Sequence, residues 1–168
     1  MNRTISHIAA TLTYFIERLK TNRRKAQKAL ADALMQMREV DSLDEEALAD
    51  ACKRVADCYA DLAIKDYEGA WTYYERAREI KAKVKGERHQ EVGLLCNDIG
   101  RCFAYLHNHT MAIVFFLEAL DILEKQVPIN EDYLSMVHLN LANIYDEMGE
   151  MGEMGLSDEH RHFFASMK

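Results

Sequence analysis

Apolar and small residues return at helical intervals along most of this chain, and the clearest stretch is residues 96–123, CNDIGRCFAYLHNHTMAIVFFLEALDIL. Its first half sets Ile99, Gly100 and Phe103 on one face; after a short polar break, its second half does the same with Ala112, Phe116 and Ala119. Spacings of three, four and seven mark a helix face, because the helix turns once in 3.6 residues. Small residues suit positions where two helices cross closely, and aromatic residues suit positions where a gap is plugged. The pattern predicts a helical hairpin. Residues 111–123 are apolar almost all round, which predicts a helix buried on every side.

A second regularity runs through residues 5–40. Ile5, Ala9, Leu12, Ile16, Leu19, Arg23, Ala26, Leu30, Ala33, Met37 and Val40 succeed one another in steps of four and three. Two structures fit this seam. One is a long helix that pairs in a coiled coil; the other is two helices, hinged near Thr21-Asn22, that cap the helices downstream. Phe15 and Leu34 widen the seam and favour the cap. Farther along, Ser42 and Glu45 read as a capping box opening a helix over 43–63. The Asp66-Tyr67-Glu68-Gly69 turn leads to a helix over 70–85, closed by Gly86 as a left-handed cap, with a linker at 87–91. Pro128 stops the helix before it, and Asn130 caps the next, with Ile129 and Leu134 placed as a hydrophobic staple. The glycine-spaced residues 148–155 read as a fraying tail, and residues 157–167 as one last short helix.

The hairpin is repeated. Ala70, Tyr74 and Ala77 stand forty-two residues before Ala112, Phe116 and Ala119. Val55, Ala56 and Tyr59 match Ile99, Gly100 and Phe103, and Leu141, Ala142 and Tyr145 match them again forty-two residues on. A fixed stride with two helices per unit is the mark of a helical solenoid. Its small and aromatic positions resemble the tetratricopeptide repeat. The long period and the run from Leu139 to Tyr145, with Met148-Gly149 after it, are most similar to the kinesin-light-chain type. The resemblance covers roughly residues 47–155. In the third copy Met154, Asp158 and Arg161 fall where Ala, an aromatic and Ala belong, so its second helix is degenerate. The expected organisation is all-α: a cap or coiled-coil segment at 1–41, then repeats at about 42–88, 89–130 and 131–168.

In this family the first helices line a concave face that grips a segment of another protein. The resemblance therefore implies a binding groove made of Lys53, Asp57 and Asp61, then Asn97, Arg101 and Tyr105, then Asn140, Asn143, Asp146 and Glu147. Asparagine can both donate to and accept from a partner's backbone. The mid-helix asparagines have an equally good structural explanation in local hydrogen bonds or exposure to water. Lys53, Asn143 and Arg101 only partly match the family's carboxylate clamp, because Asp57 stands where that subset has asparagine.

Composition supports these readings. Nearly half of the 168 residues are hydrophobic and there is one proline, as an all-α chain requires. The net charge of −7 is uneven, with a basic excess in residues 1–40 and an acidic remainder. That basic arm suits an acidic protein surface, and is too small and too poor in stacking aromatics for nucleic acid. No apolar run is long enough to span a membrane. Cys52, Cys58, Cys96 and Cys102 fall in pairs six apart, which places pair members on opposite sides of a helix. They read as buried small hydrophobes in a reducing, cytoplasmic setting. His107 and His109, like His160 and His162, are two apart, poor metal geometry on a helix and unspecific in a turn, so they read as surface histidines. The basic run Arg76, Arg78, Lys81, Lys83, Lys85 and Arg88 is explained by the helix dipole, with a patch for an acidic partner as the lesser reading.

No phosphate loop, zinc-protease motif or nucleophile elbow is present. The expectation is a non-catalytic adaptor that needs no cofactor or metal and binds a peptide or helix of another protein. The rivals are a homo-oligomeric structural subunit, joined through the N-terminal seam and the apolar middle helix, and a regulatory module of a larger motor or enzyme assembly.

Overall fold

The computed structural model describes residues 2–40 and 44–148. Within them lie six helices and no strand: α1 (Asn2–Glu39), α2 (Glu45–Ala60), α3 (Tyr67–Lys85), α4 (Gln90–Tyr105), α5 (His109–Leu123) and α6 (Glu131–Glu147). Each helix packs on the next, and α4 also touches α6, so consecutive hairpins stack side by side.

The starts of these helices share one device. Asp44, Asp66, Asn108 and Asn130 each accept a hydrogen bond from the amide three residues on, at Ala47, Gly69, Met111 and Tyr133. A short side-chain oxygen at this position satisfies an amide that the helix itself leaves unbonded. Asp66 makes α3 begin at Tyr67, three residues before the start expected at Ala70. Asp44 takes the role expected of Ser42, which lies outside the described residues, so α2 begins at Glu45. It stops at Ala60 rather than 63, where Asp61 leaves the helical conformation and its carboxylate accepts from the amide of Ala63, two residues on. Gly86 does hold a positive φ of 100°, but with ψ at 149°. Its backbone is extended beyond the left-handed helical region, a conformation open to glycine alone.

The small residues that carried the repeat are buried as the stack requires: Ala70 and Ala112 are fully enclosed, and Gly100 is buried. A Cβ on Gly100 would stand 2.7 Å from Cδ1 and Cε1 of Phe116. The glycine lets α4 approach α5 closely, and the Phe116 ring fills the space a side chain would need. Two core clusters result, one among α2, α3 and α4, the other among α4, α5 and α6, with Phe103 and Phe115 packed against both. Those two rings stack at 5.6 Å.

Three expectations are corrected. No hinge interrupts α1 at Thr21-Asn22; the Thr21 hydroxyl donates to the Glu17 carbonyl, inside an unbroken helix. The lower end of its seam packs on α2, where Ala33 is buried and Met37 meets Cys52, while Leu19 and Arg23 are exposed. The middle helix α5 is not buried on every side, since Val114 is 51% and Leu117 46% exposed. Its neighbours α4 and α6 cover the face of Ala112, Phe116, Ala119 and Leu123 and leave the opposite one open. The anticipated staple is also absent in part, because Leu134 is buried and Ile129 half exposed. The tail beyond Met148, with Met154, Asp158, Arg161 and the last short helix, lies outside the described residues.

Candidate partner-binding face

A cleft of about 360 Å³ opens where the C-terminal halves of α2 and α4 meet α3. The turns of α2 and α4 bring Asp57, Asp61, Asp98, Arg101 and Tyr105 to it, and α3 supplies Tyr67 and Tyr74. Lys53 spans the gap between the two first helices. Its ammonium lies 3.0 Å from Asp57 and 3.9 Å from Asp98. The Tyr74 hydroxyl donates to Asp57 at 2.6 Å, and Tyr67 stacks on Tyr105 with ring centres 4.5 Å apart. Burial, with help from its bond to Asp57, pushes the Tyr74 phenol well above its usual range, so it stays a donor.

Asp98 is the unusual member. Its side chain is only 16% exposed, and that burial raises its carboxyl above the ordinary range. Lys53 and Arg101, the latter 3.3 Å away, work in the other direction without cancelling it. A carboxylate that water no longer solvates is short of positive charge.

Of the ten residues expected in the groove, Lys53, Asp57, Asp61, Arg101 and Tyr105 converge here. Asn97 does not. It is fully buried, and its side-chain oxygen accepts a 2.8 Å hydrogen bond from Asn140. That pair ties α4 to α6, which explains two mid-helix asparagines by a mutual bond. Asn143, Asp146 and Glu147 are exposed along α6, apart from the cleft, and Glu147 turns to His109 at 3.4 Å. Asp98 was missed by one helical step, since it comes directly after Asn97. Tyr67 and Tyr74 were missed because only first helices were assigned to the groove.

The opposite ends of the same helices hold a second charged cluster. Lys81 is buried, with its ammonium 2.7 Å from both Asp50 and Glu91 and 3.7 Å from Glu46. Lys85 reaches Glu46 at 2.6 Å and Glu91 at 2.5 Å. Burial alone would raise the Glu91 carboxyl, but the Lys81 and Lys85 ammonium groups hold it down to about 2. Lys83 pairs with Glu45, Arg78 with Glu75 and Glu118, and Arg88 with Asp121. Arg78, Lys81, Lys83, Lys85 and Arg88 of the basic run are thus engaged in ion pairs within the molecule.

All four cysteines are free thiols. Burial lifts Cys96 and Cys102 to about 12, so both stay protonated and unreactive. Among the described residues no helix is long and apolar enough to cross a membrane.

The family model for the tetratricopeptide repeat matches residues 51–125. These residues form tetratricopeptide repeats. The match begins within α2 and ends just after α5, so it takes in most of the first hairpin, all of the second and every residue that lines the cleft. No curated protein matches the chain. Among solved structures, the crystal structure of BtubC (BKLC) from P. vanneervenii is similar, with 18% identity and a TM-score of 0.48 over 88% of this chain and 75% of that one. Tetratricopeptide repeats are typically non-catalytic modules for protein interaction.

Proposed function

We propose that the cleft between α2 and α4 holds a segment of another protein that presents a lysine or arginine, and that this chain acts as a non-catalytic adaptor in the cytoplasm. The observation that carries this reading is Asp98, a carboxylate shielded from water beside Asp57 and Asp61. Two cations of the chain, Lys53 and Arg101, face these three carboxylates. An incoming ammonium or guanidinium would relieve the remaining imbalance in a partly desolvated site, where such a pair is stronger than at an open surface. The stacked Tyr67 and Tyr105 rings offer the same cation an aromatic face. Asn143, Asp146 and Glu147 extend the polar surface along α6 toward the rest of an elongated segment.

Affinity capture of partners by the whole chain, repeated with Arg101→Glu, Asp98→Asn and Asn143→Ala, tests the reading. Asp98→Asn should weaken capture of basic segments about tenfold, the equivalent of one charge-assisted contact. Arg101→Glu should alter which segments are captured. Full retention of the same partners by all three variants would overturn it.

One observation favours a second reading, assembly of copies through α1. At 1.5 Å per residue this helix is about 57 Å long, and among its described side chains Ala33 is buried and Met37 meets α2 near the C-terminal end, while Leu19 and Arg23 are exposed. Light scattering of the whole chain, with Leu19→Asp as comparison, separates the readings. A monomer in both cases removes the assembly.

A further inference from the structure

We propose that His107, His109 and Glu147 form a binding site for a divalent transition-metal ion of the Zn²⁺ class. One ligand atom from each side chain lies within 4.8 Å of the other two. The three come from separate pieces of chain: the α4–α5 turn, the first residue of α5 and the last residue of α6. The two-apart spacing by itself is poor metal geometry on a helix and unspecific in a turn. His107 is in the turn, with φ at 58°, and that frees its ring to point back toward His109.

Comparison of the two hairpins shows that the fold builds this node and the sequence changes its chemistry. Forty-two residues upstream, the same turn places Lys65 at a φ of 57°, with the cap Asp66 and then Tyr67 after it. There Tyr67 stacks on Tyr105 of the next first helix. The positions that correspond to Tyr67 and Tyr105 are His109 and Glu147. The aromatic stack is thus replaced by an imidazole facing a carboxylate, with a second imidazole where Lys65 stands. Nε2 of His109 is shielded from solvent and makes no hydrogen bond, although Oε2 of Glu147 is 3.4 Å away. With its proton on Nδ1, the imidazole would present the Nε2 lone pair beside that carboxylate, a pair of donor atoms that a cation between them would satisfy. Tetrahedral zinc, with bonds of about 2.0–2.1 Å, sets neighbouring ligand atoms about 3.3 Å apart.

Two imidazoles and a carboxylate suit Zn²⁺, Co²⁺ or Ni²⁺ better than Ca²⁺ or Mg²⁺, which prefer oxygen ligands. A fourth position would remain for water or a donor from a partner. Because Glu147 belongs to α6, the ion would also clip the third repeat onto the second hairpin.

The test is titration of the whole metal-free chain with Zn²⁺ by calorimetry, and with Co²⁺ by absorbance. One equivalent should bind, raise Tm, and give a Co²⁺ spectrum without thiolate charge-transfer bands. His107→Asn keeps a residue that tolerates positive φ, and Glu147→Gln keeps the shape. Each should weaken binding about tenfold or more, since even loss of a group that only orients a ligand costs that much. A double variant with His160→Ala and His162→Ala should bind as the natural chain does. The proposal fails if no Zn²⁺ binds, or if both ligand variants retain full affinity. It also fails if binding is lost in the His160/His162 double variant, or if the Co²⁺ spectrum shows thiolate ligation.

Discussion

Two charged clusters join α2, α3 and α4, one at each end of the helices, and they are balanced in opposite ways. At one end, the buried Lys81 has Asp50 and Glu91 at 2.7 Å, and Lys85 draws on Glu46 and Glu91. Carboxylates there match or outnumber every cation and are themselves half exposed, so nothing is left short of a partner. At the other end Asp57 and Asp98 share Lys53, Arg101 pairs with Asp98, Asp61 lies beside them in the cleft, and burial leaves the Asp98 carboxyl raised. The first arrangement holds helices together. The second leaves room for a charge that the chain does not supply, and it is the one that opens into a cleft. Residue types alone do not distinguish these roles, because both clusters are mixtures of Lys or Arg with Asp or Glu. What distinguishes them is whether the buried member is a cation already surrounded or an anion still short of positive charge.

The contrast breaks most readily at Lys81. Lys81→Ala should cost about 1–3 kcal/mol in urea or thermal unfolding, below the loss for a fully buried pair because its carboxylate partners are partly solvated. Lys81→Met keeps the apolar stem and should recover part of that loss. Neither should change binding of a basic segment at the cleft. A comparable loss of affinity with Lys81→Met would mean that the two ends are one coupled network.

Asp98→Asn should produce the opposite pattern, with stability unchanged or slightly raised and affinity for a basic segment lowered. The sense comes from the raised carboxyl. Ionising Asp98 in the folded chain costs more than in the unfolded chain, so removing the charge relieves the fold. A clear fall in Tm for Asp98→Asn would show that Lys53 and Arg101 already satisfy it.

Acid titration sharpens the same comparison. Glu91 has its carboxyl near 2 when folded, against an ordinary 4.5. Its contribution is present above about pH 4.5 and is lost as pH falls toward 2. Lys81 is held above its ordinary 10.5, burial opposing and its bonds to Asp50 and Glu91 prevailing. Its contribution is present below 10.5 and is lost as pH rises through the folded value. Asp98 has the reverse sign to Glu91, since its penalty disappears as pH falls through its raised value. Unfolding of the natural chain and of Lys81→Met should therefore converge near pH 2 and differ at pH 7. The smallest effect is that of salt. Added NaCl should weaken binding at the cleft, whose rim is exposed, more than it lowers stability at the shielded Lys81.

The hairpins themselves were legible in the residue pattern. Gly100 and Phe116 announced a close crossing, and one is packed against the other. Asn130 was identified as a cap and is one. Asp44 and Asp66 were nearby but not chosen, because several polar residues compete at a helix start and only the backbone path selects among them. Periodicity also picked out five residues that the structure brings together at one cleft. It misplaced Asn97, whose register borders both the open side and the contact with α6. Which of these it joins depends on how close α6 comes, a matter of about one helical step.

The stride of forty-two residues and its small and aromatic positions were sufficient to specify helical hairpins stacked in order, because helix periodicity is a local property that each segment carries alone. Whether α5 is covered on all sides, which asparagine is withdrawn into a buried pair, and whether a charge is satisfied are set by distances between segments far apart in the chain. Those distances exist only after the helices pack. The same spacing therefore yields a Tyr67–Tyr105 stack at one junction and a meeting of His109 with Glu147 at the next.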